Sequence, residues 1–111
     1  MDMWWQTTDY AYHHSSLNGH QARVDGDGKV RIVLSREDPG VPNWLDPVDN
    51  PRGIVQWRWY LADRHPTPAV RSVPLSELGR HLPEGTPSIT REQRHLDVRA
   101  RTAFVRRNYR L

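Results

Sequence analysis

The chain is 111 residues long, 36% hydrophobic and 26% charged, with a formal net charge of +3 and no cysteine. That length fits one core of ordinary size, and the missing thiol excludes a disulfide framework, a thiolate nucleophile and any zinc site built on thiolates. The charge is unevenly placed: residues 1–90 carry 9 basic and 11 acidic side chains and residues 91–111 carry 7 and 2, so the balance is −2 before the terminal stretch and +5 within it.

Met1-Asp2-Met3-Trp4-Trp5 lacks the basic and apolar regions of a secretion signal. No window reaches the roughly 18 apolar residues of a membrane helix, so the chain reads as soluble and cytoplasmic. Residues 4–12 place Trp4, Thr8, Tyr10 and Tyr12 at period two, which predicts a strand with one buried face, followed by a polar loop over 13–20. Asp25-Gly26-Asp27-Gly28 stands between residues 22–24 and 29–34 and predicts a hairpin over 22–35, with Val30, Ile32 and Leu34 on one face. Pro39, Pro42, Pro47 and Pro51 remove backbone donors within residues 37–52, which predicts an ordered irregular loop there. In residues 53–61, Val55, Trp57, Trp59 and Leu61 alternate with Ile54, Gln56, Arg58 and Tyr60, the best strand pattern in the chain.

A short strand over 69–73 is expected next, then a brief helix over 75–82, opened by Pro74 and closed by Pro83-Glu84-Gly85. Thr90-Arg91-Glu92-Gln93 matches a capping box, and Leu96, Ala100, Ala103 and Phe104 follow at helical spacing. These predict an amphipathic helix over 91–108, docked through that apolar stripe. The expected fold is therefore mainly β: a single domain over 1–111, an antiparallel β-sandwich segment with strands within 4–73, a short helix and a C-terminal amphipathic helix. A sandwich ordinarily has about seven strands, and four or five would leave apolar surface and open edges.

The run Asp38-Pro39-Gly40-Val41-Pro42-Asn43-Trp44-Leu45-Asp46 is distinctive. Together with Gly53-Ile54-Val55-Gln56-Trp57-Arg58-Trp59, the stretch from Val70 to Leu78 and the basic terminal helix, it resembles the C-terminal part of the uncharacterised bacterial family known as domain of unknown function 1214, over about residues 4–105. The resemblance implies a jelly-roll-like β-sandwich, in bacterial proteins several times this length, with no established activity. Two features depart from the family. The glycine its members tend to carry between the positions of Asp46 and Gly53 is replaced by Pro47-Val48-Asp49-Asn50-Pro51-Arg52. The family's larger N-terminal portion is also missing, which implies either a fragment of a gene or a chain that completes its sandwich with another.

Asn43, Trp44 and Asp46 offer an amide, a flat indole and a carboxylate, the chemistry of a site for a sugar or other small polar ligand. The same residues also serve local roles, Asn43 and Asp46 as turn caps and Trp44 as a plug. His13, His14 and His20 with Asp9 lack any metal-ligand spacing, and adjacent histidines on a strand point to opposite faces, so no metal site is expected. Asp25-Gly26-Asp27-Gly28 opens like a calcium loop, but Arg36 stands where the bidentate Glu belongs and Lys29 occupies a ligand position. Arg91, Arg94, Arg99, Arg101, Arg106, Arg107 and Arg110 surround the terminal helix without an aromatic platform, which reads as a solvated face and argues against nucleic acid.

No serine stands in a nucleophile elbow, Glu37 and Asp38 are adjacent and splayed, and no glycine loop cradles phosphate, so neither catalytic residues nor a cofactor are expected. The sequence thus reads as a non-catalytic binding or interaction module, completed by self-association or by a companion chain. The alternative is an enzyme or enzyme remnant acting on a polar metabolite or glycan through residues 38–46.

Overall fold

Among the described residues, regular structure is confined to four pieces of the chain, two of them strands of two residues. A computed structural model describes residues 1–109, with β1 at Val33–Leu34, β2 at Trp44–Leu45, a 3₁₀ helix at Leu75–Arg80 and α1 at Arg91–Tyr109. Arg110, one of the arginines of the basic tail, lies outside the described residues. β1 and β2 pair in parallel, with Val33 opposite Trp44 and Leu34 opposite Leu45. Parallel pairs ordinarily need a crossover of a dozen or more residues. Residues 35–43 manage a tighter return because Gly40 (φ 68°) and Asn43 (φ 59°) both take the left-handed conformation.

The expected jelly-roll-like, mainly β sandwich is not what forms. Helix outweighs strand among the described residues, and the only sheet among them is this two-stranded pair. Residues 53–61 show why. Met1 N donates to Ile54 O (3.0 Å) and Ile54 N donates to Met1 O (2.9 Å), but from 55 to 73 no backbone group makes a hydrogen bond among the described residues. Alternation shows that a segment suits a half-buried pleat. A strand exists only when a neighbour accepts and donates along its edge. Here both faces stay open, with Trp57 43% and Trp59 44% exposed on one and Tyr60 85% exposed on the other. Gly53 is needed at the entry to this stretch, since a Cβ there would lie 2.5 Å from the Met1 carbonyl oxygen.

Residues 4–12 fail as a strand for a different reason. Asp2 Oδ1 accepts from Trp4 N and Gln6 N, and Asp9 Oδ1 accepts from Ala11 N and Tyr12 N. Short acidic side chains thereby take the donors a sheet would have used. The expected turn at 25–28 is present, closed by Asp25 N to Lys29 O (2.8 Å) and Gly28 N to Asp25 O (2.9 Å). Arg31 bridges its two carboxylates at 2.8 Å each, and that hydrogen bond holds the Asp27 carboxyl down to about 2. The strands flanking the turn do not zip together, because Val33 and Leu34 turn to Trp44 and Leu45 instead. The expected strand over 69–73 is also absent. The 3₁₀ helix falls within the expected 75–82 and begins directly after Pro74.

The capping box forms as read: Gln93 N donates to Thr90 Oγ1 (3.2 Å) and Thr90 N donates to Gln93 Oε1 (2.8 Å). α1 docks, but not through the expected stripe. Arg94 and Val105 are buried and Val98, Arg101 and Thr102 are half-buried, whereas Leu96 and Phe104 are exposed. Leu96 lies about 200° around the helix from Arg94. Polar anchors set the orientation: Arg94 to Asp38, Arg101 to the Ser16 carbonyl oxygen (2.8 Å) and Thr102 to the Ala11 carbonyl oxygen. The buried apolar core is correspondingly small, comprising Ala11 and Val105. The accessible surface is 9170 Å², against about 6,300 Å² for a compact monomer of this mass. Among the described residues, no helix is long and apolar enough to cross a membrane.

Candidate functional site

Residues 12–14, the 38–46 loop and the first turns of α1 meet around a cleft of about 350 Å³. The loop is built by local hydrogen bonding. Gly40 N donates to Asp38 Oδ1 (2.8 Å), and Ile89 N donates to Gly40 O (2.8 Å), which delivers the chain to the Thr90 cap beside the loop. One turn into α1, Arg94 reaches back across the sequence. Its Nε–H donates to Asp38 Oδ2 (2.9 Å) and its Nη2–H to Asp38 Oδ1 (3.0 Å), and Nη2 also donates to the Val41 carbonyl oxygen. The fork holds Arg94 at 7% exposure. Partial burial works to raise the Asp38 carboxyl, but the Arg94 and Gly40 hydrogen bonds outweigh it and hold the group below its ordinary value.

The Arg94 guanidinium also lies 5.3 Å from the Trp44 ring centroid, an attractive cation–π arrangement. Trp44 is pinned by its own indole N–H, which donates to Ser35 O (2.9 Å). The His14 ring packs against Trp44 with centroids 5.8 Å apart and planes tilted by 41°. His14 is 8% exposed, and its Nε2 has no partner among the described residues. Burial pushes its pKa down, and the Arg101 and Arg94 guanidiniums push it further.

Asp46 links the loop to residues 13 and 14. Its backbone N–H donates to His14 O (2.8 Å), its Oδ1 accepts from Val48 N (2.7 Å), and its Oδ2 meets His13 Nδ1 at 2.9 Å. A carboxylate can only accept, so in the neutral ring the hydrogen sits on His13 Nδ1 and the lone pair on Nε2.

Of the three residues singled out for ligand binding, Trp44 and Asp46 line the cleft and Asn43 does not. Asn43 is buried, with its Nδ2 donating to Arg23 O (2.8 Å) and Arg31 O (2.9 Å) and its Oδ1 accepting from Arg23 N (2.7 Å). It ties three pieces of backbone together, and its amide is fully occupied in doing so. His13 pairs with Asp46 while His14 packs on Trp44 with its Nε2 unpartnered among the described residues, and Asp9 is used up in its turn. Among the described residues, no group of three or more His, Asp or Glu is placed to hold a metal ion.

Read from sequence, Arg91 and Arg94 fall on a solvated face, which is wrong for the buried Arg94. Asp38 enters only as part of the 38–46 loop, and His95 is not singled out, nor are His13 and His14 in their present roles. The Asp38–Arg94 pair spans 56 residues, and nothing local marks it. The one available signal was Asp38-Pro39-Gly40, which reads as a side-chain-stabilised turn and so as a fixed carboxylate. The cleft brings together a fixed Asp–His pair, a flat indole, and Arg91 and His95 on the helix side, with Tyr12 as the only hydroxyl in its lining. No family model matches the chain, and no curated protein or solved structure matches it.

Proposed function

We propose that the protein is a non-catalytic interaction module whose open stretch, residues 55–73, is covered by a second copy of the chain, a role that a companion chain of like surface can also fill. The supporting observation is the backbone of this stretch, which makes no hydrogen bond among the described residues while presenting Trp57, Trp59, Tyr60 and Leu61 to solvent. Adding an extended segment to such an edge supplies the main-chain partners and buries the indoles in one step. Each chain exposes roughly 2,900 Å² more than a compact monomer of its mass, more area than a standard interface covers on one partner. Kinship with the 1214 family rests on the 38–46 and 53–59 residues and belongs to the same proposal. Light scattering on the purified full chain should show a dimer or larger species. A well-folded, strictly monomeric species would overturn the reading.

A second reading is a site for a polar metabolite at the 38–46 loop. It is favoured by one observation, that Asp46 lines the cleft while fixing the His13 ring at 2.9 Å.

A further inference from the structure

The groups around the cleft differ in how far they are already committed. Both carboxylates are engaged, Asp38 by the Arg94 fork and the Gly40 N–H, Asp46 by His13 and the Val48 N–H. The polar groups left over are the Arg91 guanidinium, the His95 ring, the buried Nε2 of His14 and the Nε2 of His13. Arg91 has no ion-pair partner among the described residues, and the exposed His95 ring makes no hydrogen bond among them. Arg91 opens α1, where the helix field favours negative charge, and His95 lies one turn further along the same side. His13 Nε2 is the ring nitrogen fixed as an acceptor, because Asp46 holds the hydrogen on Nδ1.

With the imidazoles neutral, Arg91 and Arg94 balance Asp38 and Asp46, so an incoming anion meets no net repulsion. Its charge falls to Arg91, the one guanidinium of the cleft without a carboxylate. Trp44 and Val98 supply apolar wall, and the volume of about 350 Å³ sits at the small end of ligand sites.

We propose that the cleft binds a small hydroxylated oxyanion, either a hydroxy acid or a sugar phosphate. Arg91 and His95 hold the oxyanion, and His13 Nε2 accepts a hydrogen bond from the hydroxyl. This rests on the reading that the 38–46 loop faces a polar ligand, and it extends the site to α1 and names the ligand class.

The test is a titration of the full chain with malate, succinate and glycerol 3-phosphate, followed through the histidine ring and Trp44 indole resonances. Malate or glycerol 3-phosphate should shift His13 and His95 at millimolar concentration, and the tighter of the two identifies the anion as carboxylate or phosphate. Succinate, which differs from malate by the hydroxyl alone, should bind several-fold more weakly, because it leaves the His13 acceptor unpaired. Arg91→Ala should weaken all binding about ten-fold through loss of a charge-assisted contact. His13→Ala should erase the preference for malate over succinate, with an unmoved Trp44 indole resonance in the free protein showing that the fold persists. Succinate binding as tightly as malate, or an Arg91→Ala variant that binds as the parent does, would overturn the proposal while leaving a polar-ligand site in place. Silence of every resonance with all three compounds would remove both.

Discussion

Residues 9–46 together with α1 and residues 55–73 are both almost devoid of sheet, yet one region is tied down and the other is not. Apolar content does not separate them, since the open stretch carries two of the five tryptophans. The difference lies in polar side chains that reach backbone groups far away in sequence. Asn43 satisfies Arg23 and Arg31, the Trp44 indole satisfies Ser35, Arg94 satisfies Val41, and Arg101 and Thr102 satisfy Ser16 and Ala11. Nothing comparable reaches residues 55–73 among the described residues. Where a β ladder is missing, side-chain hydrogen bonds can stand in for it, provided that the donors and acceptors are paired.

Three experiments break or sharpen this contrast. Arg94→Ala should have the largest effect, because it strands the Asp38 carboxylate, leaves the Val41 carbonyl unpaired and removes the cation from Trp44. A loss of about 3 kcal/mol in urea unfolding is expected, at the lower end for buried pairs because Asp38 keeps solvent access. A loss below about 1 kcal/mol would show that the fork does not hold α1 in place.

Acidification should act next, through His14. Its folded pKa lies below the ordinary value near 6.5, so between the two the unfolded chain binds more protons and stability rises with pH. The contribution is therefore complete above about pH 6.5 and is lost as the pH falls below it. The groups facing His14 are Arg94, Arg101 and Asp97 on α1 and Asp38 in the loop, and only the two acids temper the added charge. The melting midpoint should drop on going from neutral pH toward pH 5, and His14→Phe should flatten that drop. An unchanged slope in the variant would assign the effect elsewhere.

The smallest effect belongs to the open stretch. At concentrations that keep the chain monomeric, Trp59→Ala should change stability by less than about 0.5 kcal/mol, as surface substitutions do. A loss above about 2 kcal/mol would show that Trp59 is packed within the monomer and would erase the contrast.

What was legible in the sequence was local chemistry. Thr90 and Gln93 announce their helix because both halves of the capping box lie within one turn, and Asp25 to Gly28 announce their turn for the same reason. The prolines of residues 37–52 correctly exclude sheet from most of that loop, although β2 forms between two of them. The sheet prediction failed at residues 53–61 because alternation describes one strand and pairing needs two. The face of α1 failed because hydrophobic periodicity weighs Leu96 and Phe104 above Arg94, and a forked arginine with a carboxylate 56 residues away leaves no trace in either neighbourhood. Within the candidate site, Trp44 and Asp46 were readable as chemistry-bearing residues, whereas the role of His13 emerged only with its partner.

The contacts that seat α1 also fix a timetable. Thr102 meets Ala11 across 91 residues and Arg101 meets Ser16 across 85. Closing so long a loop adds little to the equilibrium cost, since each doubling of length costs about 0.6 kcal/mol, but contacts of such separation slow folding. During synthesis Ala11 and Ser16 must wait for these contacts until α1 has been made, so the cleft cannot close before residues 91–102 are available.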